Sequence, residues 1–144
     1  MKKILIVFLL IFAFGFSECY AQNDILFYQT TEFAYKHVTE NYEWSEWSDW
    51  EKSSLIITIN LNKDVVRVFS PKVQTYKIIS NQKITTDKEG GIQNIFNFVD
   101  QDGDYGTMRL RIEINGNSQM YIEFANIKWV YNLHKINDFE DEEI

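Results

Sequence analysis

Residues 105–114, YGTMRLRIEI, alternate apolar and polar side chains more strictly than any other stretch of the chain. Met108, Leu110, Ile112 and Ile114 would share one face, while arginine and glutamate side chains occupy the other. A period of two is typical of a β-strand that buries one face and exposes the other to water. This stretch therefore predicts a half-buried strand.

The same period continues on both sides of this strand. Downstream, Asn115-Gly116-Asn117 predicts a tight hairpin turn, and two further alternating runs end at Phe124 and Leu133. Upstream, residues 23–38 read as one long strand or two short ones with a bulge near Thr30-Thr31, and four further alternating runs follow. We expect an all-β fold, an antiparallel meander of about eight strands that forms a small barrel or a sandwich.

The two ends of the chain differ in composition from its centre. Residues 1–21 have a positive start, an apolar run of 13 residues and Ala21 at a suitable cleavage position, which predicts a secretory signal peptide. The run is shorter than the roughly 20 residues that cross a bilayer as a helix, so we expect no transmembrane segment after cleavage. Residues 22–137 form a single predicted domain, and residues 138–144 form an acidic, flexible tail. The expected location is periplasmic or extracellular.

Cysteine content and charge narrow the choice of function. Cys19 is the only cysteine; it lies within the predicted signal, and Glu18 before it disfavours lipid attachment. No thiol or disulfide is therefore expected in the mature domain. The chain carries 14 basic and 21 acidic residues, a net charge of −7, which opposes binding to nucleic-acid phosphates. We expect a small molecule, a glycan or a protein as the partner.

The tryptophan segment, residues 44–50 with the sequence WSEWSDW, is the most unusual part of the chain. It places Trp44, Trp47 and Trp50 three residues apart. A regular strand cannot bring three such indoles to one face, whereas a helical turn would group them. We expect a short, exposed helical or irregular segment whose indoles cover one end of the sheet as a hydrophobic lid; the alternative is a platform that stacks on a sugar or contacts a partner. The sequence of this segment resembles the WSxWS box of cytokine receptors and the tryptophan ladder of thrombospondin repeats, families that also contain disulfides.

The loop at residues 100–104, DQDGD, contains three carboxylates at alternate positions. Asp100, Asp102 and Asp104 could supply oxygen ligands to Ca²⁺, which binds hard oxygen donors. The sequence of this loop is close to that of an EF-hand loop, but Gly103 is the fourth residue of the loop, whereas the glycine of an EF-hand is the sixth. Because Asp-Gly is also a preferred hairpin turn, a soluble turn without metal is the competing interpretation. No other cofactor is expected.

Catalytic machinery is hard to assemble from this sequence. His37 and His134 are the only histidines, and neither has a second histidine or a cysteine nearby. No nucleophile elbow, phosphate-binding glycine loop or metal-binding histidine pair is present. Two carboxylates could still hydrolyse glycosides, but no particular pair stands out among the acids. We expect a protein that is not an enzyme.

In several of these features, the chain is similar to small exported β-proteins of Bacteroidetes-type bacteria. The resemblance rests on Trp44 with Trp47, the turn at residues 100–103, Arg109 with Arg111, and the strands that contain Tyr121 and Tyr131. It implies export and a β-fold, and it implies no activity. The nearest architecture is a lipocalin-like, or calycin-like, barrel, although the Gly-x-Trp signature of the first lipocalin strand is missing.

Three functions are compatible with such a fold. The first is a binding domain that takes a small apolar or aromatic ligand in an internal cavity or a glycan on the tryptophan segment, with Trp129 and Tyr131 as further candidate ligand-binding residues. The second is a protein-interaction or envelope-structural module with a filled core, and the third is a carboxylate-dependent hydrolase. The first two differ in whether Phe96, Phe98, Trp129 and Tyr131 fill the interior or line a hole.

Overall fold

The structure is a computed structural model that describes residues 25–81, 84–115 and 117–136. The predicted signal peptide, Cys19, the predicted acidic tail and Gly116 of the predicted hairpin turn lie outside these residues. Every regular element of the described part is a β-strand, as the alternating sequence predicts. Within that part of the chain, no helix is long and apolar enough to span a membrane.

The described residues form ten strands, of which eight make a closed antiparallel barrel. The strands are β1 (Ile25–His37), β2 (Glu51–Lys52), β3 (Ile56–Asn60), β4 (Val65–Val68), β5 (Gln74–Asn81), β6 (Thr85–Thr86), β7 (Ile92–Asp100), β8 (Tyr105–Ile112), β9 (Ser118–Glu123) and β10 (Ile127–Lys135). The barrel follows the order β1-β3-β4-β5-β7-β8-β9-β10, and β10 pairs with β1 to close it. The short strands β2 and β6 pair with β1 and β7 outside this circle. The predicted all-β meander is thus confirmed, as a barrel rather than a sandwich.

β1 is the strand that closes the barrel. Residues 25–29 pair with β3, while residues 28–37 pair with β10. A register shift between Thr30 and Glu32 leaves one extra residue between them, which is the bulge that the sequence predicts. The buried Thr30 Oγ1 accepts the Leu55 N–H at 2.7 Å and so satisfies the backbone at this irregular point. Because a bulge bends its strand, one long strand follows the curved wall between two neighbours.

Side chains from all eight barrel strands fill the interior. They form one buried cluster in which Phe98, Met108, Met120 and Ile122 are fully buried. Tyr131 belongs to the same cluster, and Phe96 and Trp129 pack against it. These side chains fill the interior rather than line a hole, so the expected internal ligand cavity is absent from the core that the structure describes, and the filled core agrees with the second of the three functions.

The apolar face of β8 extends beyond the part that the barrel buries. Ile112 and Ile114 continue the phase of the buried Met108 but are 40 % and 80 % exposed. The reason is that β8 ends at Ile112, where the chain leaves the barrel. Ile114 instead lies over Gly90, at which an added Cβ would come within 2.6 Å of the Ile114 Cδ1.

The meander places every second connection at the same end of the barrel. The connections at residues 69–73, 101–104 and 124–126 lie at one end, the mouth end, together with the last residues of β1. The connections after β3 and after β8 lie at the opposite end. Three stretches that are distant in sequence therefore meet at the mouth end.

Candidate functional site

The tryptophan segment runs alongside the second half of β1. Ser45 N–H donates to the carbonyl of His37, and Ser48 N–H donates to that of Tyr35, both at 2.8 Å. In return, the Oγ atoms of the two serines accept the N–H groups of these same residues, from His37 at 3.1 Å and from Tyr35 at 2.9 Å. Each serine therefore makes both hydrogen bonds of a ladder pair by itself.

The segment stays paired with β1 because an advance of three residues along the segment corresponds to an advance of two residues along the strand. The pairs are Ser45 with His37, Ser48 with Tyr35, and Glu51 with Phe33. One tryptophan precedes each paired residue, so the spacing of three brings the indoles into equivalent positions. The segment is irregular and extended: the helical prediction is wrong, and the irregular alternative is confirmed. The free edge of β1 supplies hydrogen bonds that a short helix would have made internally.

The indoles lie against the outer wall of the barrel and not over its end, which corrects the prediction of a lid on the core. The Lys128 ammonium group is 4.2 Å from the ring centre of Trp44, and the Lys36 ammonium group is 4.7 Å from that of Trp47. Trp47 also meets Tyr121 of β9 edge-on, with 6.3 Å between ring centres. Cation–π and aromatic contacts of this kind hold the segment to the wall.

A small apolar layer lies on this outer wall. Ala34 and Val130 face each other on β1 and β10 and are 2 % and 3 % exposed, although neither belongs to the interior cluster. Tyr121 is the β9 partner of Val130, so the Trp47 indole crosses above β1 and β10 to reach it. The tryptophan segment therefore covers a second apolar layer, and its three indoles remain 39 % to 46 % exposed.

Arg109 and Arg111 lie side by side on the outer face of β8, as the alternation predicts. The Arg109 guanidinium lies 4.0 Å from the ring centre of Tyr121, its cross-strand partner, and 3.5 Å from a carboxylate oxygen of Glu123. Arg109 of β8 and Glu123 of β9 thus form an ion pair between neighbouring strands. It extends the aromatic and cationic contacts of the tryptophan segment by one more strand.

Arg111 is enclosed by three carboxylates. Its nitrogen atoms lie 2.6 Å from Asp87, 2.7 Å from Glu113 and 3.0 Å from Glu89. Its guanidinium hydrogen bond holds the pKa of Asp87 at about 2, below the ordinary 3.8, and the bond to Asp87 also raises the pKa of Arg111. This arginine therefore ties the connection before β7 to the barrel wall.

A depression of about 350 Å³, the mouth, opens at the mouth end of the barrel. Its floor is aromatic and consists of Tyr76, Phe124 and Trp129. The ring centres of Phe124 and Trp129 are 5.7 Å apart, and Phe124 meets the fully buried Phe98 edge-on at 5.3 Å. The floor of the mouth is therefore the upper surface of the filled core.

The rim of the mouth is polar and comes from two connections. It consists of Ser70, Lys72, Gln74, Asp100, Gln101 and Asp102. Gln101 joins the connections: its Oε1 accepts the Thr75 N–H at 2.7 Å, and its Nε2 donates to the Val73 carbonyl at 3.3 Å. Gln74 Nε2 donates to Ser70 Oγ at 3.3 Å. The rim is thus fixed by its own hydrogen bonds.

Polar groups also lie beneath the floor. The Tyr76 hydroxyl donates to Gln74 Oε1 at 2.5 Å. Burial raises the pKa of Tyr76 and of Tyr131, so both hydroxyls keep their protons at neutral pH. The buried indole N–H of Trp129 makes no hydrogen bond within the part of the chain that the structure describes. The polar side chains beneath the floor of the mouth are therefore uncharged.

The loop with the predicted calcium ligands is a hairpin turn. Asp100 Oδ1 accepts the N–H groups of Asp102 at 3.0 Å and Asp104 at 2.9 Å, and Gly103 has a φ angle of 84°. Across the described residues, no group of three His, Cys, Asp or Glu side chains could hold a metal ion. The structure thus does not bring the three predicted ligands together around one point.

The candidate ligand-binding residues fall in two separate places. Trp44 and Trp47 lie against the outer wall, Trp50 is 46 % exposed in the same segment, Trp129 lies in the mouth, and Tyr131 lies buried beneath it. Sequence reasoning missed Tyr76, Phe124 and the rim residue Gln101. The order of the meander could have pointed to them, because it brings alternate connections to one end.

Comparison of the chain with protein-family models, with curated proteins and with solved structures finds no match. The geometry of the mouth and of the outer wall is therefore the basis for the function.

Proposed function

We propose that this chain is an exported, non-enzymatic domain that binds a small ligand, aromatic or glycan, in the mouth of the barrel. The observation that carries the proposal is an aromatic floor surrounded by a polar rim that hydrogen bonds already fix. Ligand sites are typically concave and largely apolar, with a few placed polar groups. At about 350 Å³, the mouth is near the lower end of the usual range and suits one small ring system.

The position of the acids favours binding over hydrolysis. A glycosidase needs two carboxylates that face one bond from opposite sides. In the mouth, Asp100 uses one carboxylate oxygen to hold the N–H groups of its own loop, which gives it a structural role. Asp102 is exposed on the same loop, two residues away. Both acids thus stand on one side of the rim.

Native mass spectrometry of the protein, exported by its own host and purified without chelator, tests the proposal. We expect an added mass of a few hundred daltons whose occupancy falls in Trp129→Phe, which keeps an aromatic ring but changes the floor. Trp50→Phe, on the outer wall, is the matched control and should keep the added mass. A gain that only a chelator removes would instead support the calcium loop.

Because a weakly held ligand is lost during purification, the same protein should also be titrated with a library of small fragments. Shifts in the NMR signals of the Trp129 indole and the Gln101 side-chain amide are expected for the fragments that bind. Absence of both an added mass and any shift at these two side chains would contradict the proposal.

The exposed indoles favour one alternative, a protein-interaction module that uses the outer wall. Trp44, Trp47 and Trp50 are 41 %, 39 % and 46 % exposed in the tryptophan segment. Large aromatic side chains are enriched at protein interfaces. Light scattering distinguishes this function: a dimer that becomes monomeric in Trp50→Ala would support the interaction module, whereas a monomer that binds fragments in the mouth would not.

A further inference from the structure

The floor of the mouth presents a small aromatic surface. The rings of Phe124 and Trp129 contact each other, with ring planes inclined by 35° and centres 5.7 Å apart. Tyr76 completes the floor, and its ring is held edge-on by Phe98 at 4.8 Å. Rigid rings of this kind bind ligands by stacking at little entropic cost. A ligand therefore needs one apolar face about the size of a ring.

The rim carries charged groups of both signs. Lys72 stands on one connection, and Asp100 and Asp102 stand on the other. Gln101 fixes the distance between these connections through Thr75 and Val73. The rim therefore offers an ammonium donor and carboxylate acceptors on two connections whose spacing is set before a ligand arrives, which lowers the cost of binding.

These two features exclude most classes of ligand. A wholly apolar ligand would remove water from Lys72 and the two carboxylates without giving them new partners, which is unfavourable. An anion would meet both carboxylates of the rim in a chain of net charge −7, and a cation would be drawn to those carboxylates but would leave Lys72 without a partner. A neutral ring with hydroxyl groups satisfies the donor and the acceptors together and still offers an apolar C–H face to the floor.

We propose that the mouth binds a neutral sugar ring, stacked on Trp129 and Phe124 and hydrogen-bonded to Asp102 and Lys72. This inference rests on the proposed function and narrows the ligand to one class. The Trp129 face supplies the apolar contact, and the Asp102 carboxylate accepts hydrogen bonds from the sugar hydroxyls.

NMR titration of the protein with four kinds of probe tests the inference: neutral methyl glycosides, glucuronate, tetramethylammonium and toluene. At least one methyl glycoside should shift the Trp129 indole and Gln101 amide signals in a saturable way, and the other three probes should not. Asp102→Asn should weaken that affinity at least fivefold. Asp104 is on the same loop but outside the mouth, so Asp104→Asn should leave the affinity for the glycoside unchanged. Trp129→Phe should weaken it at least threefold.

The outcomes separate this inference from the proposed function. If toluene, tetramethylammonium or glucuronate binds at the mouth while no glycoside shifts the mouth signals, the sugar inference is wrong and the proposed binding function is supported. A glycoside that shifts only Trp44 and Trp47 also overturns the inference, because it places the sugar on the outer wall. If no probe shifts a mouth signal and native mass spectrometry finds no captured ligand, both are wrong.

Discussion

Ser45 and Ser48 show how one side chain replaces part of a β-ladder. Each offers its N–H and its Oγ to a single residue of β1. Each hydroxyl also donates to the following carbonyl, that of Glu46 at 3.0 Å and that of Asp49 at 3.2 Å. The acidic residue of each triplet is then exposed to water, while the next tryptophan returns to the wall. Serine is therefore the residue that makes a repeat of three compatible with a strand.

Ser48→Ala is expected to lower the free energy of unfolding by about 1 kcal/mol, because the Tyr35 N–H loses its acceptor. Urea denaturation followed by tryptophan fluorescence measures the change. Ser48→Thr keeps a hydroxyl at the same place and should restore most of the stability. If the alanine variant unfolds at the same urea concentration as the parent, the hydrogen bond between the Tyr35 N–H and the Ser48 hydroxyl does not stabilise the protein.

Asp87→Asn is expected to flatten the dependence of stability on pH in acid. The Arg111 guanidinium holds the pKa of Asp87 at about 2 against an ordinary 3.8, so the folded state binds this proton less readily than the unfolded state. The stabilising contribution is complete above pH 3.8 and is lost as the pH falls to about 2.

Thermal unfolding at a series of pH values in this range tests the prediction for Asp87. Glu89→Gln is the control, because the Glu89 side chain is 83 % exposed although it contacts the same arginine. A parent and an Asp87→Asn variant with parallel curves below pH 3.8 would contradict the expected role of the ion pair.

At the scale of elements, the packing of the Phe98 ring of β7 against β8 and β9 depends on a missing side chain. Gly106 pairs with Phe98, and a Cβ added to it would stand 2.5 Å from Phe98 Cζ and 2.6 Å from the Glu123 carbonyl oxygen. The Phe98 ring therefore lies over the glycine and supports both Tyr76 and Phe124. The floor of the mouth is set by this strand pair as much as by the residues that line it.

Gly106→Ala is expected to lower the free energy of unfolding by about 2 kcal/mol or more, since both a ring and a backbone carbonyl must move. Gly103→Ala is the matched comparison, because it has open space around the added Cβ and only a φ angle of 84° to oppose it. That conformation costs about 1 to 2 kcal/mol. Denaturant unfolding of both variants gives the order, and a larger loss for Gly103→Ala would refute the steric argument.

At the scale of the whole molecule, the sequence predicts the strands of the barrel but not its closure. Residues 105–114 alternate because one face meets the core, and the extra residue between Thr30 and Glu32 shows as a change of phase along β1. Closure, however, pairs Tyr28 with Lys135, residues near opposite ends of the described chain. A local pattern states which face a strand buries, and it does not state which distant strand becomes its neighbour.

The candidate sites are less predictable for the same reason. A tryptophan spacing of three fits a helical turn as well as a bulged edge, and only the free edge of β1 decides between them. In the mouth, Gln101 belongs to an ordinary hairpin turn, and its role appears only when the fold brings Val73 beside it. Trp129 could be nominated because it is a large aromatic residue, but its partners come from other strands.

The closed core makes a prediction about alkaline unfolding of the whole barrel. Burial raises the pKa of Tyr28, Tyr76 and Tyr131 above 10.0, so the folded state holds these protons more tightly than the unfolded state. Their contribution to stability is complete below pH 10.0 and is lost as the pH rises further. Titration of tyrosinate absorbance should show that the buried Tyr28, Tyr76 and Tyr131 ionise only as circular dichroism reports unfolding. Tyr76→Phe should move this unfolding step to higher pH, because one buried ionisable group is gone. A single reversible step with the barrel intact would mean that the interior admits hydroxide and that the core is not closed.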